Sequence, residues 1–231
     1  MLDHPGSVAG HLDVLAAIPS EYREAILSQC RRRSFKKGSI VWNQGDPAGY
    51  VGFLVEGAVI STFHSASGKM GVTGIWFPGD ILGAADLGGY PLRQLTLRCL
   101  TDTQIYTLDT PEFFRVAARF PELAEAVIRA LSVRLRWIAR LALTLETQSA
   151  FERVCTVLLA LAEKFSVAES DGLLIELKLT HEELASFVGV TRQFVISVLK
   201  ELQRKGLIEH RKRRILIRDH SQLESLVLHH S

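Results

Sequence analysis

The chain is poor in cysteine: Cys30, Cys99 and Cys155 stand far apart in 231 residues, without paired spacing. That excludes a disulfide framework or a cysteine-rich metal site, and leaves three thiols as small, semi-buried fillers. Long uncharged apolar runs are missing too. A membrane-spanning helix needs roughly 18 or more such residues, and the most apolar long segment, 128–145, is interrupted by Arg129, Arg134, Arg136 and Arg140. The opening stretch MLDHPGSVAGHLDVLAAIP lacks the basic start and apolar core of a secretory signal. The expectation is a cytoplasmic protein with no membrane partner. Enzyme signatures are equally scarce. No P-loop, dinucleotide fingerprint or Ser/His/Asp arrangement occurs in its required strand-turn-helix context. Between residues 34 and 109 the sole imidazole is His64, too few ligands for a metal-dependent jelly-roll oxygenase. The chain therefore reads as neither an enzyme nor a metal carrier.

What is present falls into three successive patterns. Apolar residues make up 47% and charged residues 23%, the balance of a folded protein. After a helical preface, roughly Leu12 to Cys30, the text from about Ser34 to Asp109 is rich in Val, Ile, Phe and Thr. Turns fall at Lys37-Gly38, Gly45-Asp46-Pro47, Glu56-Gly57, Ser67-Gly68 and Pro78-Gly79-Asp80. Many short strands at that spacing predict a β-sandwich or jelly roll. From Glu122 to about Gln148 the pattern turns helical, with no internal Gly or Pro. There Ile128, Leu131, Leu135, Ile138, Ala142 and Leu145 recur at alternating steps of three and four, the seam of a coiled coil. A helix this long with so regular a stripe predicts a homodimer.

The third pattern, Ser149 to Ser231, is mostly helical. FERVCTVLLALAEKF is amphipathic and SVAESDG reads as a polar loop. LTHEELASFVGVTRQFVISVLKELQRKGLIE then gives two helices separated by GVT, the short glycine turn of a helix-turn-helix. Thr180 and Glu183 have the spacing of a capping box. Leu184, Phe187 and Val188 can pack on Val195, Val198, Leu199 and Leu202. LIEHRKRRILIRD reads as two short strands around a basic tip, the wing of a winged helix. The whole chain carries only +2, but between Ser186 and Arg218 nine Lys and Arg residues face Glu201 and Glu209 alone. Such a local excess marks a phosphate-binding surface. In a helix-turn-helix the second helix enters the major groove with its N-terminal end. Arg192 and Gln193, in its first turn, carry paired donors and acceptors that match guanine and adenine edges; Ser197 continues that side. Thr180, Thr191, Lys200, Arg211 and Arg213 complete the expected DNA-binding set, with Thr191, Lys200, Arg211 and Arg213 assigned to phosphates.

The order of glycine-punctuated barrel, seam helix and winged helix-turn-helix resembles the cyclic-AMP receptor protein and fumarate-nitrate reduction regulator (Crp/Fnr) family of bacterial transcription factors. KKGSIVWNQGDPAGYVGFLVEGAV, PGDILG and LTHEELASFVGVTRQFVISVLKELQRKGLI carry the resemblance. It implies an α+β fold: an N-terminal cyclic-nucleotide-binding-like β jelly roll over 1–120, a dimerisation helix over 121–148, and a C-terminal winged helix-turn-helix over 149–231. It further implies binding to a double-stranded, pseudo-palindromic DNA operator, a signal received in the barrel, and contact with RNA polymerase.

Departures from the family pattern bear on that signal. Nucleotide-binding members carry a ribose-holding Glu and a phosphate-gripping Arg-Ser or Arg-Thr pair. Here Gly83 matches, Ala84 stands at the Glu position, and Arg93-Gln94 align with the pair. The adenine-facing Thr-Ser pair of the cyclic-AMP receptor aligns with Ile138-Ala139. A ribose hydroxyl needs an acceptor, which Ala84 cannot supply, so cyclic AMP is disfavoured. The expected effector pocket is Gly83, Ala84, Ala85, Arg93, Gln94, Leu95, Ile138 and Ala139, suited to an apolar effector. An iron-sulfur cluster would need an N-terminal group of cysteines, and Cys30 alone precedes Cys99. Haem remains an alternative cofactor for a gas-sensing regulator, with His64, Cys99, Met70, His4 and His11 as candidate ligands. A family member that acts without ligand is the other alternative. The recognition helix departs as well: Gln193 and Ser197 stand where many members carry Glu and Arg, predicting an altered operator.

Overall fold

A computed structural model describes residues 11–212 and 214–228. The chain divides into two compact units after Ala139. In the first, helix α1 (Ser20–Leu27) starts directly after Pro19, whose ring is tolerated at a helix entrance and not in its interior. The expected helical preface is thus shorter than Leu12 to Cys30, and strand β1 (Arg31–Phe35) already begins just past Cys30. Two four-stranded antiparallel sheets follow. One has the order β1-β8-β3-β6, with β3 Tyr50–Glu56, β6 Ile81–Leu82 and β8 Thr103–Asp109. The other runs β2-β7-β4-β5, with β2 Ile40–Trp42, β4 Val59–His64, β5 Met70–Trp76 and β7 Thr96–Cys99. This is the jelly roll that the sequence predicts.

Val41, Trp42, Leu54, Val59, Leu82, Leu97, Cys99 and Ile105 form the core between the sheets. Within the first sheet, Ile105 of β8 leans over Gly52 of the neighbouring β3 so closely that a Cβ there would lie 2.6 Å from Ile105 Cγ2. Glycines 38, 45, 57, 68 and 79, one in each expected turn, all take positive φ, a conformation with no steric cost for glycine. A second core packs α1, α2 (Thr110–Arg119) and the start of α3 (Pro121–Thr147) on the outer face of the first sheet. Ile26, Phe53, Leu108, Phe113, Leu123 and Val127 belong to it.

Helix α3 carries two apolar stripes. Leu123, Ala126 and Val127, continued by Arg134 and Trp137, are buried in the unit they start from. Ile128, Leu131, Leu135 and Ile138 lie on another face and are solvent-exposed, Ile128 by 63% and Leu135 by 68%. Ala142 and Leu145 further along the helix are exposed too.

The second unit opens with α4 (Ala150–Phe165), capped reciprocally by Ser149 and Glu152. The stretch expected as a polar loop, SVAESDG, is instead a hairpin: β9 (Ser166–Glu169) pairs with β10 (Gly172–Ile175). The correction has a tertiary cause. Strand β10 also pairs with β12 (Arg214–Ile217), so Leu173, Leu174 and Ile175 find backbone partners distant in sequence. With β11 (Ile208–Arg211) the sheet order is β11-β12-β10-β9. Helices α5 (His181–Val188) and α6 (Arg192–Arg204) pack through Leu184, Phe187, Val188, Val195, Val198, Leu199 and Leu202, all buried. A last helix, α7 (His220–Leu228), closes against α4. The three cysteines are free, Cys99 and Cys155 buried and Cys30 partly so.

Candidate nucleic-acid interface and effector cavity

The turn between α5 and α6 is built from its sequence. Gly189 ends α5 in the left-handed region, φ 69°, where glycine alone is unstrained. Thr191 caps α6, its hydroxyl accepting from Phe194 N–H at 3.2 Å. Helix α5 starts with the expected capping box: Thr180 Oγ1 accepts from Glu183 N–H at 3.1 Å, and Glu183 Oε2 accepts from Thr180 N–H at 2.8 Å. Arg153 ties α4 to the end of α5, donating from Nε to Val188 O at 2.9 Å. A short, double-capped frame therefore sets the angle at which α6 leaves the turn.

The apolar face of α6 is buried in that frame, which leaves Arg192, Gln193, Ser197 and Lys200 exposed on the opposite side. The structure thus brings together four of the sequence-predicted DNA contacts on one helix, with Thr191 at its entrance. Ser197 Oγ donates back to Phe194 O at 2.7 Å, so its lone pairs, not its proton, face outward. His181, the first residue of α5, packs edge-on to His210 of β11 at 6.4 Å. Burial first, then the charges of His210 and Arg192, push its pKa below the ordinary value, so it is neutral at pH 7.

Two residues of the expected DNA-binding set are engaged within the chain itself. Thr180 spends its hydroxyl on the cap, accepting from Glu183 N–H and donating to Glu183 Oε2 at 3.0 Å; its role is structural. Arg211 is held by carboxylates on both sides: Nη1 and Nη2 meet Glu169 and Asp171 of the β9–β10 hairpin, and Nε meets Glu209 at 3.0 Å. Its hydrogen bonds raise its own pKa and lower that of Glu209 to about 2. An arginine in such a cluster is neutralised and has no fork free for a phosphate. The local excess of seven charges counted in sequence shrinks for the same reason, because Glu169, Asp171 and Glu176 reach the wing from an earlier segment. Among the described residues Arg192, Lys200, Arg204 and Lys212 form no ion pair. Lys212, at φ 47° on the exposed wing tip, is a further unpaired cation that the expected DNA-binding set does not include. Arg213 lies outside the described residues.

The barrel unit holds a cavity of about 180 Å³. Of the expected pocket residues, Gly83, Ala84, Ala85, Gln94, Leu95 and Ile138 line it; Arg93 and Ala139 do not. Arg93 is neither a surface residue nor a free cation. It is 2% exposed, donates to Asp86 Oδ2 at 2.7 Å and to Tyr50 O, and stacks at 3.9 Å on the Trp42 ring. Gly83 is the reason it fits: a Cβ there would lie 2.5 Å from Arg93 Nη1. Gripping a ligand phosphate would require Arg93 to leave a buried, paired site, which is costly.

The cavity's own cation is Arg134, which is absent from the pocket expected from sequence. It is 9% exposed, lies over Trp76 at 3.9 Å and Trp137 at 4.7 Å, and lines the cavity with Trp42, Trp76, Leu97 and Leu131. Burial pulls its pKa down to about 10, which still leaves it charged at pH 7. Of the candidate haem ligands, His64 is exposed with Nε2 3.3 Å from Thr62 Oγ1, His11 bonds Asp80 at 3.1 Å, and Cys99 is buried. Met70 is half-buried on β5, and His4 lies outside the described residues. No group of three or more His, Cys, Asp or Glu is placed to hold a metal among the described residues, and no described helix is long and apolar enough to cross a membrane.

Comparison with known proteins agrees with this anatomy. Residues 32–120 match the sequence profile of the cyclic nucleotide-binding domain, and residues 152–226 that of the Crp-like helix-turn-helix domain. The global nitrogen regulator of Synechococcus elongatus is 29% identical over 79% of this chain and 83% of its own. A CRP-like cAMP-activated global transcriptional regulator of Mycobacterium tuberculosis is 26% identical over 86% of this chain and 89% of its own. Among solved structures, the c-di-GMP responsive regulator CLP of Xanthomonas campestris superposes with a TM-score of 0.79 at 24% identity, covering 87% of this chain and all of that one. A barrel of the cyclic-nucleotide-binding type and a capped helix-turn-helix with a wing, found in this order and matched by these relatives, place the chain in the Crp/Fnr family of transcriptional regulators, which are DNA-binding proteins and not enzymes.

Proposed function

We propose that the chain is a homodimeric regulator that reads a palindromic operator with α6 and whose barrel cavity holds an effector other than cyclic AMP. The carrying observation is the exposed polar side of α6 on a double-capped turn. Arg192 and Gln193 read base edges, with Ser197 beside them; Thr191, Lys200 and Lys212 hold phosphates. The exposed stripe Ile128, Leu131, Leu135 and Ile138 supports dimerisation along α3, because an apolar stripe of that regularity is normally covered by a second helix. Two copies then address half-sites about one DNA turn, ~34 Å, apart, from which the dimer contacts RNA polymerase. Ala84 in the cavity wall and the committed state of Arg93 support an effector other than cyclic AMP, since Ala84 offers a ribose no acceptor and the arginine that aligns with the family's phosphate-gripping one is already paired with Asp86.

Selection from a random duplex pool tests the reading. A two-fold symmetric site should be enriched, and Gln193→Ala should relax one base pair in each half-site, a discrimination of about 1–3 kcal/mol. Failure to enrich any site, or equal losses for Gln193→Ala on every operator variant, would overturn it.

A further inference from the structure

We infer that the barrel cavity takes a small organic anion, a carboxylate on a single ring or short branched body, with Arg134 as its counter-ion. The inference rests on the reading of this cavity as the effector site and names the chemistry of its ligand.

Size comes first. The volume of about 180 Å³ is a little above the ~150 Å³ void that accepts benzene. It is well below the ~300 Å³ at which pockets for larger ligands begin. One substituted ring fills that volume. Character comes second. Trp42, Trp76, Ile81, Leu95, Leu97 and Ile138 present rings and branched chains to the space, so the ligand's body is apolar.

Charge decides the rest. Arg134 lines the cavity, and its Nη1 is buried without a hydrogen-bond partner. A buried guanidinium nitrogen left unpaired costs free energy that an acceptor would recover. Asp80 in the cavity wall acts on Arg134 through its charge, but neither wall carboxylate accepts a hydrogen bond from that nitrogen. Asp80 accepts from His11 Nδ1 at 3.1 Å and from Phe77 N–H at 2.7 Å, and Asp86 is taken by Arg93 at 2.7 Å. The sequence has also made room for this arginine. A Cβ at position 74 would lie 2.0 Å from Arg134 Nη2, so Gly74 admits the guanidinium between strand β5 and α3. An arginine kept solely for packing on Trp76 would need no such unpartnered nitrogen. A ligand carboxylate supplies the missing acceptor and, in a low-dielectric site, a charge-assisted bond.

Tryptophan fluorescence reads the event directly, because Trp42 and Trp76 line the cavity. Full-length protein is titrated with phenylacetate, with its neutral isostere phenylacetamide, and with cyclic AMP. Phenylacetate should bind at least tenfold more tightly than the amide, and cyclic AMP should not compete with it. Arg134→Gln should erase the preference for the acid, and Ala84→Leu, which narrows the cavity and leaves Arg134 in place, should abolish binding of acid and amide together. Equal affinities for acid and amide in the wild-type protein would overturn the proposal, as would an acid preference that survives Arg134→Gln. The wild-type comparison decides the matter even if a variant fails to fold. If neither compound binds while the protein still enriches a palindromic operator, the ligand assignment fails and the regulator reading stands. If no operator is enriched, that reading fails on its own.

Discussion

Arg211 and Lys200 look alike in sequence, two basic residues of the winged helix, yet the structure gives them different electrostatic roles, and salt dependence of DNA binding separates them. Lys200 is exposed on α6 and forms no ion pair among the described residues. Arg211 is enclosed by Glu169, Asp171 and Glu209. Each phosphate neutralised by a protein cation releases condensed counterions and adds about 0.9 to the slope of log K against log salt. In a homodimer Lys200→Ala removes two such contacts, so the slope should flatten by about 1.8. Between 50 and 200 mM salt that difference alone amounts to about a twelvefold change in relative affinity. Arg211→Ala should leave the slope within about 0.5 of wild type. Its affinity should still fall uniformly across sequences, because three carboxylates lose their cation near the DNA-facing side. The assay is fluorescence anisotropy with a fixed duplex at four salt concentrations, on both variants and the parent. If Arg211→Ala flattens the slope as much as Lys200→Ala does, the carboxylate cluster opens on DNA and the structural assignment of Arg211 is wrong.

The other outcomes follow from single features. Leu135→Glu places a charge in the exposed α3 stripe and should shift the light-scattering mass from two chains to one, weakening operator binding in parallel; an unchanged dimer would refute the seam. Thr180→Ala removes a capping box and should cost about 1 kcal/mol, lowering the melting temperature by roughly 4–8 °C for a domain of this size, with the salt slope of DNA binding unchanged. Glu209 has its carboxyl held down to about 2 by Arg211 and then Arg218. Its folded pKa lies below the unfolded value, so its stabilising contribution is present above about pH 4.5 and lost as pH falls toward 2. The melting difference between wild type and Glu209→Gln should therefore shrink from pH 6 to pH 3, and a constant difference would exclude this linkage.

Much of this protein was legible along the chain because it is governed by local rules. The turns at Gly38, Gly45, Gly57, Gly68 and Gly79 need backbone conformations that one residue type tolerates. The caps at Thr180 and Thr191 act over three residues, and the helical stripes of α3 and α6 follow from a period of 3.6. Those signals suffice for a jelly roll, a long helix and a winged helix-turn-helix, and for the exposed side of α6. What escaped them was settled by partners far away in sequence. The hairpin Ser166–Ile175 forms because β12 arrives some forty residues later to pair with β10. Arg211 is taken into an ion-pair cluster because that hairpin brings Glu169 and Asp171 beside it. Arg93 and Arg134 trade places for a related reason: Gly83 and Gly74 admit both guanidiniums, Asp86 forms an ion pair with the first, and the second keeps a buried Nη1 without a hydrogen-bond partner. Sequence alone determined where the cations are, since composition and periodicity are local. Only the tertiary structure decided which of them remain unpaired, since an ion pair depends on distances that the linear order of residues does not contain.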